Sequence, residues 1–334
     1  MTSRSAIDGL RMPAEWAEHE RTLMAWPCRE ELWGPEIAHG RLEYAAVANA
    51  VAAFEPVSMV CGSPEDAAVA RAALTAAAEV VELPIDDSWL RDSGPAFITG
   101  GGRRAGVHFG FNAWGGKFAR FEHDAAVGGH LVERLGDERI TAPFVLEGGA
   151  INVDGAGLLL TTEQCLLNPN RNPSLSREDI EAGLRDYLGV ERIVWFERGL
   201  AEDRDTDGHV DMIAALTAPG ELLLQSAPEG DPNHETMAAN RAAAEAAGLR
   251  VTDMPLLHRT TVAGEDVALT YMNLYVCNGG VIVPQAGGPD DAEALERIAA
   301  AFPDREAVGV PALTIAYGGG GPHCITQQVP VAGA

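Results

Sequence analysis

Six stretches of the chain place apolar residues at helical spacing, most of them rich in alanine: residues 40–54, 64–78, 126–135, 176–188, 236–247 and 290–302. Between them stand short runs of β-formers at 57–61, 96–99, 157–161, 193–195, 221–225 and 281–284. The alternation predicts an α/β chain. Ser63 followed by Pro64 reads as an N-cap with proline at the first helical position, and the last helix is expected to open beside Pro289 and Asp290. No proline- or serine-rich linker interrupts the pattern. The nearest candidate, 166–176, is short and full of turn residues, so it reads as a loop. One domain over residues 1–334 is therefore expected. Trp26, Asp92, Gly148, His209 and Cys277 recur at loosely similar intervals, which suggests, by spacing alone, a cyclic repeat.

Of the 334 residues 46% are apolar, ample for a large core, and no run of eighteen apolar residues occurs. The opening residues, MTSRSAIDGLRMPAEW, lack the apolar centre of a signal peptide, so a soluble, cytoplasmic protein is expected. A formal charge of −25, from 49 acids against 24 bases, disfavours nucleic acid and anionic membrane as partners. It suits a cationic substrate, although solubility alone explains such a charge equally well. A homo-oligomer is left open. Cys28, Cys61, Cys165, Cys277 and Cys324 are odd in number, widely spaced and free of any CxxC pair, which argues against a disulfide framework and a structural zinc site. The chain has no GxGxxG after a strand, no GxxxxGK[ST] and no GxSxG, which removes dinucleotide, P-loop and serine-hydrolase readings.

Four segments are too polar and glycine-rich for ordinary core or surface: DDSWLRDSGPAF (86–97), LEGGAINVDGAG (146–157), DRDTDGHVDM (203–212) and GGGGPHCITQQVP (318–330). Each has a plain structural reading. Asp86 and Asp87 suit turn caps, Arg91 and Asp92 an ion pair, Glu147 a partner for its own glycine turn, His209 a core histidine, and Cys324 a small buried hydrophobe. Their combination points elsewhere. If 208–212 is extended, His209 and Asp211 share a face. One thiol, one histidine and acids at 92, 147 and 211, without a lysine among them, suit a planar cation attacked by sulfur. Guanidinium fits, because it is permanently charged and two carboxylates can grip its five N–H donors. Its resonance-stabilised carbon is a poor electrophile and needs a strong nucleophile. A thiolate serves, from a thiol of ordinary pKa about 8.5 that a nearby cation lowers, and the bound guanidinium could be that cation.

Seven blocks also carry a family resemblance. MPAEWAEHERTLMAWP (12–27), DDSWLRDSGP (86–95), FNAWGGK (111–117), EGGAINVDGAGLLLTTEQCLLNPNRNP (147–173), DTDGHVD (205–211), NGGVIVPQ (278–285) and GGPHCITQQVP (320–330) resemble, in order and over nearly the whole length, the agmatine deiminases of the guanidine-modifying (pentein) superfamily. The resemblance implies a fivefold α/β propeller of ββαβ modules, with no metal and no organic cofactor. It implies hydrolysis of agmatine to N-carbamoylputrescine and ammonia, with Cys324 as nucleophile and His209 as the base and acid that moves protons. Glu147 is implied as the carboxylate that orients His209, Asp92 and Asp211 as guanidinium clamps, and Trp89 as a pocket wall. Deimination of arginine or peptidyl arginine is the alternative within the superfamily; a silent polyamine-binding protein is the alternative outside catalysis. Gly321 and Pro322 stand where the family commonly has Asn and Ile, and Met212 where it often has Asn. For the primary amine of agmatine, the acids of EDRDTDGH (202–209) are candidates, Asp205 or Asp207 above all. An acid there attracts the ammonium and repels the carboxylate that arginine carries.

Overall fold

The computed structural model describes residues 7 and 9–333; the first part of the opening stretch read for a leader lies outside them. Four times in succession the chain makes an antiparallel hairpin, a helix, and a strand that returns parallel to the hairpin's second strand. The first unit is Ala96–Gly100 with Arg103–Gly110, helix Asp124–Leu135 and strand Glu138–Val145. The second is Asn152–Val153 with Leu158–Thr162, helix Arg177–Leu188 and strand Arg192–Phe196. The third is Ala214–Ala218 with Glu221–Gln225, helix His234–Ala246 and strand Arg250–Met254. After an inserted hairpin, Leu257–Val262 with Glu265–Thr270, the fourth is Tyr275–Cys277 with Gly280–Gln285, helix Asp291–Ala301 and strand Glu306–Pro311.

The fifth unit joins the two ends of the chain. Thr326–Pro330 pairs antiparallel with His19–Ala25, which leads through helix Ile37–Val51 to the parallel strand Val57–Cys61. Helix Pro64–Ala73 then adds one more parallel strand, Ala78–Glu82. The result is the fivefold ββαβ propeller that the resemblance implies.

Local chemistry accounts for these elements. Parallel neighbours need a crossover, and each helix supplies it while covering one face of its small sheet. Val57–Cys61 lies between two parallel partners and is buried at every position, so it reads as a nearly unbroken apolar run. The Ser63 hydroxyl accepts from the Asp66 N–H, and Ser176 with Asp179 forms a capping box at the head of Arg177–Leu188. Gly136 and Gly189 end their helices at φ of 77° and 67°, where a side chain would be strained.

All six expected helices and all six expected strands are present, with displaced ends. The largest displacement is at 64–78: Leu74 turns extended at ψ 151°, and Ala78 opens an edge strand opposite Val57. The helix expected from residue 40 starts at Ile37. No helix among the described residues is long and apolar enough to cross a membrane.

Candidate active site

All five units place polar side chains in the loop just ahead of their first hairpin strand, and these loops meet. Asp92 precedes Ala96–Gly100, Glu147 precedes Asn152–Val153, and His209 and Asp211 precede Ala214–Ala218. Asn273 precedes Tyr275–Cys277, and Cys324 precedes Thr326–Pro330. The Gly149 N–H donates to Asp92 Oδ1 at 2.9 Å, His323 Nδ1 and Asp211 Oδ2 are 2.8 Å apart, and Asn273 Nδ2 donates to Cys324 Sγ at 3.1 Å. A β-carbon on Gly149 would lie 2.6 Å from His209 Nδ1, 2.8 Å from Asp211 Oδ2 and 3.0 Å from Asp92 Oδ1. Only glycine lets these side chains close on one point.

Cys324 is 2% exposed and lies on a narrow pocket walled by Trp89, Asp92, Trp114, Phe118 and Asp205. Trp89 is stacked on Trp33 with ring centroids 5.8 Å apart and meets the edge of Tyr44, so this wall is fixed from behind. The glycine run before Cys324 has a steric cause. A β-carbon on Gly320 would sit 2.9 Å from Cys324 Sγ and 2.7 Å from Trp89. Burial, then the charges of Asp211 and Asp92, push the thiol well above its ordinary pKa. The thiol is therefore protonated in the free protein and donates to Asp211 Oδ2 at 3.4 Å. Burial and nearby acids raise other thiols as well, Cys28 and Cys165 among them, so what sets Cys324 apart is its place on the pocket with Asp92 and Asp205 and its contacts with Asp211 and Asn273.

The two clamp candidates differ electrostatically. Asp92 is pushed up by burial; the His209 charge opposes this, while Asp211 and Glu147 add to it. For Asp211, burial acts in the same upward sense, but the hydrogen bond and charge of His323, with help from His209 and Cys324, hold it below the usual carboxylate range. Asp92 is also tied by Trp114, whose Nε1 donates to Oδ2 at 2.8 Å. Trp114 reaches it from a left-handed backbone, φ 54°, next to Ala113 at φ 55°. Two non-glycine residues in that region mark a loop held under strain against the site.

His209 is fully buried and neither ring nitrogen has a hydrogen-bond partner among the described residues, Nδ1 lying 3.9 Å from Asp92 Oδ1, so it is not a satisfied core histidine. Glu147 is equally buried; its Oε1 accepts from Arg171 Nε at 2.6 Å and its Oε2 has no hydrogen-bond partner among the described residues. It lies within 4.8 Å of His209, beside it but not hydrogen-bonded to it. Glu147, Cys165 and His209 form the one group among the described residues whose ligand atoms are close enough to hold a metal ion. The Arg171 guanidinium puts a fixed positive charge against that group, which opposes a dication.

The expected extended course of 208–212 is corrected: Val210–Met212 is a turn of 3₁₀ helix. His209 and Asp211 still converge on Gly149, because this turn aims them there and strand alternation does not. Asp207, at φ 62°, accepts from Lys117, Asn170 and Arg171 and so braces the loop. Asp205 lines the pocket, and its carboxylate accepts no hydrogen bond among the described residues. Burial, then the Asp203 charge, raises it. Asp86 accepts from the His123 N–H and Asp87 from Arg29 Nε, so both have structural partners. Arg91 serves the Cys324 loop: its backbone N–H donates to the Cys324 carbonyl, and its Nε to the His323 carbonyl, at 3.2 Å each.

Sequence reasoning missed Asn273, His323, Glu15, Trp114 and Arg171. Asn273 holds the equivalent place in the fourth unit, which the loose repeat could have located. Glu15, Trp114 and Arg171 sat unassigned inside recognisable blocks, and His323 sat beside the candidate nucleophile. The two departures from the family pattern both touch Asn273. A β-carbon on Gly321 would lie 2.7 Å from Asn273 Oδ1, and Met212 Sδ accepts from Asn273 Nδ2 at 3.3 Å.

Relatives share this architecture. The profile of the Porphyromonas-type peptidyl-arginine deiminase family matches residues 11–330. The agmatine deiminase of Stutzerimonas stutzeri is 44% identical, over 99% of this chain and 98% of its own. Among solved structures, agmatine deiminase of Enterococcus faecalis superposes with a TM-score of 0.92 at 35% identity, covering 97% of both chains. A C. jejuni agmatine deiminase variant with substrate bound gives 0.90 at 27% identity over 96% of both. With its matching profile, its full-length relatives and five units closing on one buried thiol, this chain belongs to the Porphyromonas-type peptidyl-arginine deiminase family.

Proposed function

We propose that the protein hydrolyses agmatine to N-carbamoylputrescine and ammonia through a covalent intermediate on Cys324. One observation carries this reading beyond kinship. Of nine buried side-chain atoms without a partner among the described residues, four belong to Glu147, His209 and Asp211. Unpaired buried polar atoms are costly, about 1–3 kcal/mol each. A guanidinium offers five donors and a permanent charge to such a cluster, and its carbon then lies among the groups around the thiol. Because each of the five units feeds this one pocket, we take the chain as a single catalytic domain.

Asp92 and Asp211 hold the N–H edges of the cation. Its charge offsets the carboxylates that keep Cys324 protonated, so the thiol passes its proton to His209 and sulfur attacks the guanidinium carbon. Collapse of the adduct breaks a C–N bond, and His209 gives the proton to the departing ammonia. An amidino thioether remains. Water, deprotonated by His209, adds to the same carbon, the C–S bond breaks, and the ureido product leaves as the thiol is restored. Every step uses groups of this chain and water.

Asp205 supports agmatine over arginine. Its free, raised carboxylate suits an ammonium, while Lys117 beside it is held by the carbonyls of Arg204 and Asp205 and by Asp207. Asp205→Asn is expected to raise KM for agmatine by about tenfold with a smaller loss of kcat, because the contact is alike in ground and transition states. It is also expected to narrow the preference for agmatine over arginine. Ureido-product assays on agmatine, arginine and a peptide ending in arginine measure both. An unchanged KM and preference would place the amine elsewhere, and arginine turnover exceeding that of agmatine would overturn the substrate assignment.

A further inference from the structure

The N-terminal block MPAEWAEHERTLMAWP plays no part in the chemistry above, yet its Glu15 is only 7% exposed and reaches the residue next to the nucleophile. Glu15 Oε1 lies 2.7 Å from His323 Nε2, while His323 Nδ1 lies 2.8 Å from Asp211 Oδ2. His323 itself is 3% exposed. An ionised carboxylate can only accept, so a histidine bonded at both ring nitrogens to two carboxylates must carry both protons. The alternatives with the same proton count are a neutral ring facing a protonated Glu15 or a protonated Asp211. Arg91 argues against the first, because its Nη1 lies 3.7 Å from Glu15 Oε1 and favours the ionised acid, and the Cys324 thiol argues against the second, because it donates to the same Asp211 Oδ2.

We propose that Glu15 keeps His323 a standing imidazolium, and that His323 positions and keeps ionised the Asp211 carboxylate that grips the substrate. His323 is thus a positioning residue, and its donor Nδ1 occupies one Asp211 oxygen while Oδ1 is left free for the guanidinium. The device also answers a charge problem. Asp92, Glu147 and Asp211 crowd one buried centre, where three uncompensated carboxylates would force one to take a proton. The electrostatics agree. Burial raises the Glu15 carboxyl, but His323 and Arg91 overcome it and bring it down to about 2. Burial and Arg91 lower His323, but Glu15 and Asp211 outweigh them and raise it. Those groups, with His19 behind Glu15 and with His209, Asp92 and the Cys324 thiol beside Asp211, are the titratable groups facing this chain of contacts.

The inference rests on Asp211 holding the substrate, so its test includes a readout independent of turnover. In wild-type protein labelled with ¹⁵N-histidine, assigned against His323→Gln, both ring nitrogens of His323 are expected to keep imidazolium shifts at pH values well above about 6.5, where an ordinary histidine is neutral. In Glu15→Gln, His323 loses its stabilising charge. The imidazolium is then present at low pH and lost as pH rises through its lowered pKa, so the alkaline limb of kcat/KM for agmatine moves to lower pH by about one unit or more. His323→Gln cannot titrate, so it is expected to lower kcat/KM at every pH, mainly through KM, without a new limb. Neutral-tautomer shifts for wild-type His323 near neutral pH would overturn the proposal even if agmatine is the substrate. A Glu15→Gln profile parallel to wild type would reduce Glu15 to packing and overturn it as well.

Discussion

A Cys324→Ser enzyme is expected to bind agmatine yet release ammonia at least ~10⁴-fold more slowly than wild type, the scale on which lone nucleophiles fail in covalent enzymes. A hydroxyl has a far higher pKa than a thiol, and at this site two carboxylates already disfavour the anion. The acids, the Trp89 wall and the hydrogen bond from the Cys324 backbone N–H to Asn273 Oδ1 do not depend on the sulfur, so affinity is expected to survive. Steady-state ammonia release, with calorimetry of agmatine binding to the variant, separates the two effects. Turnover at the wild-type rate would remove Cys324 from the chemistry.

Neutralising the clamps ranks second. Asp211→Asn and Asp92→Asn are each expected to cost at least ~10²-fold in kcat/KM, since a hydrogen bond to a charged group is worth roughly 1.5–3 kcal/mol and misplacement adds to that. Their pH behaviour distinguishes them. The carboxylate must be ionised to hold a cation, and Asp92 is the one pushed up, by burial and by its neighbours Asp211 and Glu147. Activity is therefore expected to fall with decreasing pH through the Asp92 ionisation, above the ordinary value of about 3.9, and not through that of Asp211, which His323 helps hold down. Removal of this acid limb in Asp92→Asn, measured as kcat/KM against pH, checks the assignment. Near-normal kinetics in either variant would take that residue out of the clamp.

What could be read from the sequence follows burial pattern. Val57–Cys61 and Glu221–Gln225 were legible because they are apolar runs in the middle of a sheet. Thr326–Pro330 was not, because TQQVP buries two glutamines and looks like a loop. Asn152–Val153 is two residues long, too short for any periodicity. At the site, residues with chemistry of their own stood out beside glycines: Cys324, His209, Glu147, Asp92 and Asp211. The residues that hold them did not. Asn273 sits inside the apolar run YMNLYVCN (271–278), and Glu15 and His323 are 308 positions apart. Only the pairing of the first strand with the last brings that acid to that ring. The turn at Val210–Met212 was hidden for a similar reason, since tertiary contacts set its direction and the local pattern does not.

The central claim is that catalysis passes through sulfur at position 324. Mass analysis of the protein acid-quenched during agmatine turnover tests it most directly, with peptide mapping of the five cysteines. An adduct of agmatine less one ammonia is expected on the Cys324 peptide alone, formed at a rate that matches product release and absent from Cys324→Ser. Ureido product accumulating at full rate with all five thiols unmodified throughout, or an adduct on a different cysteine, would contradict it.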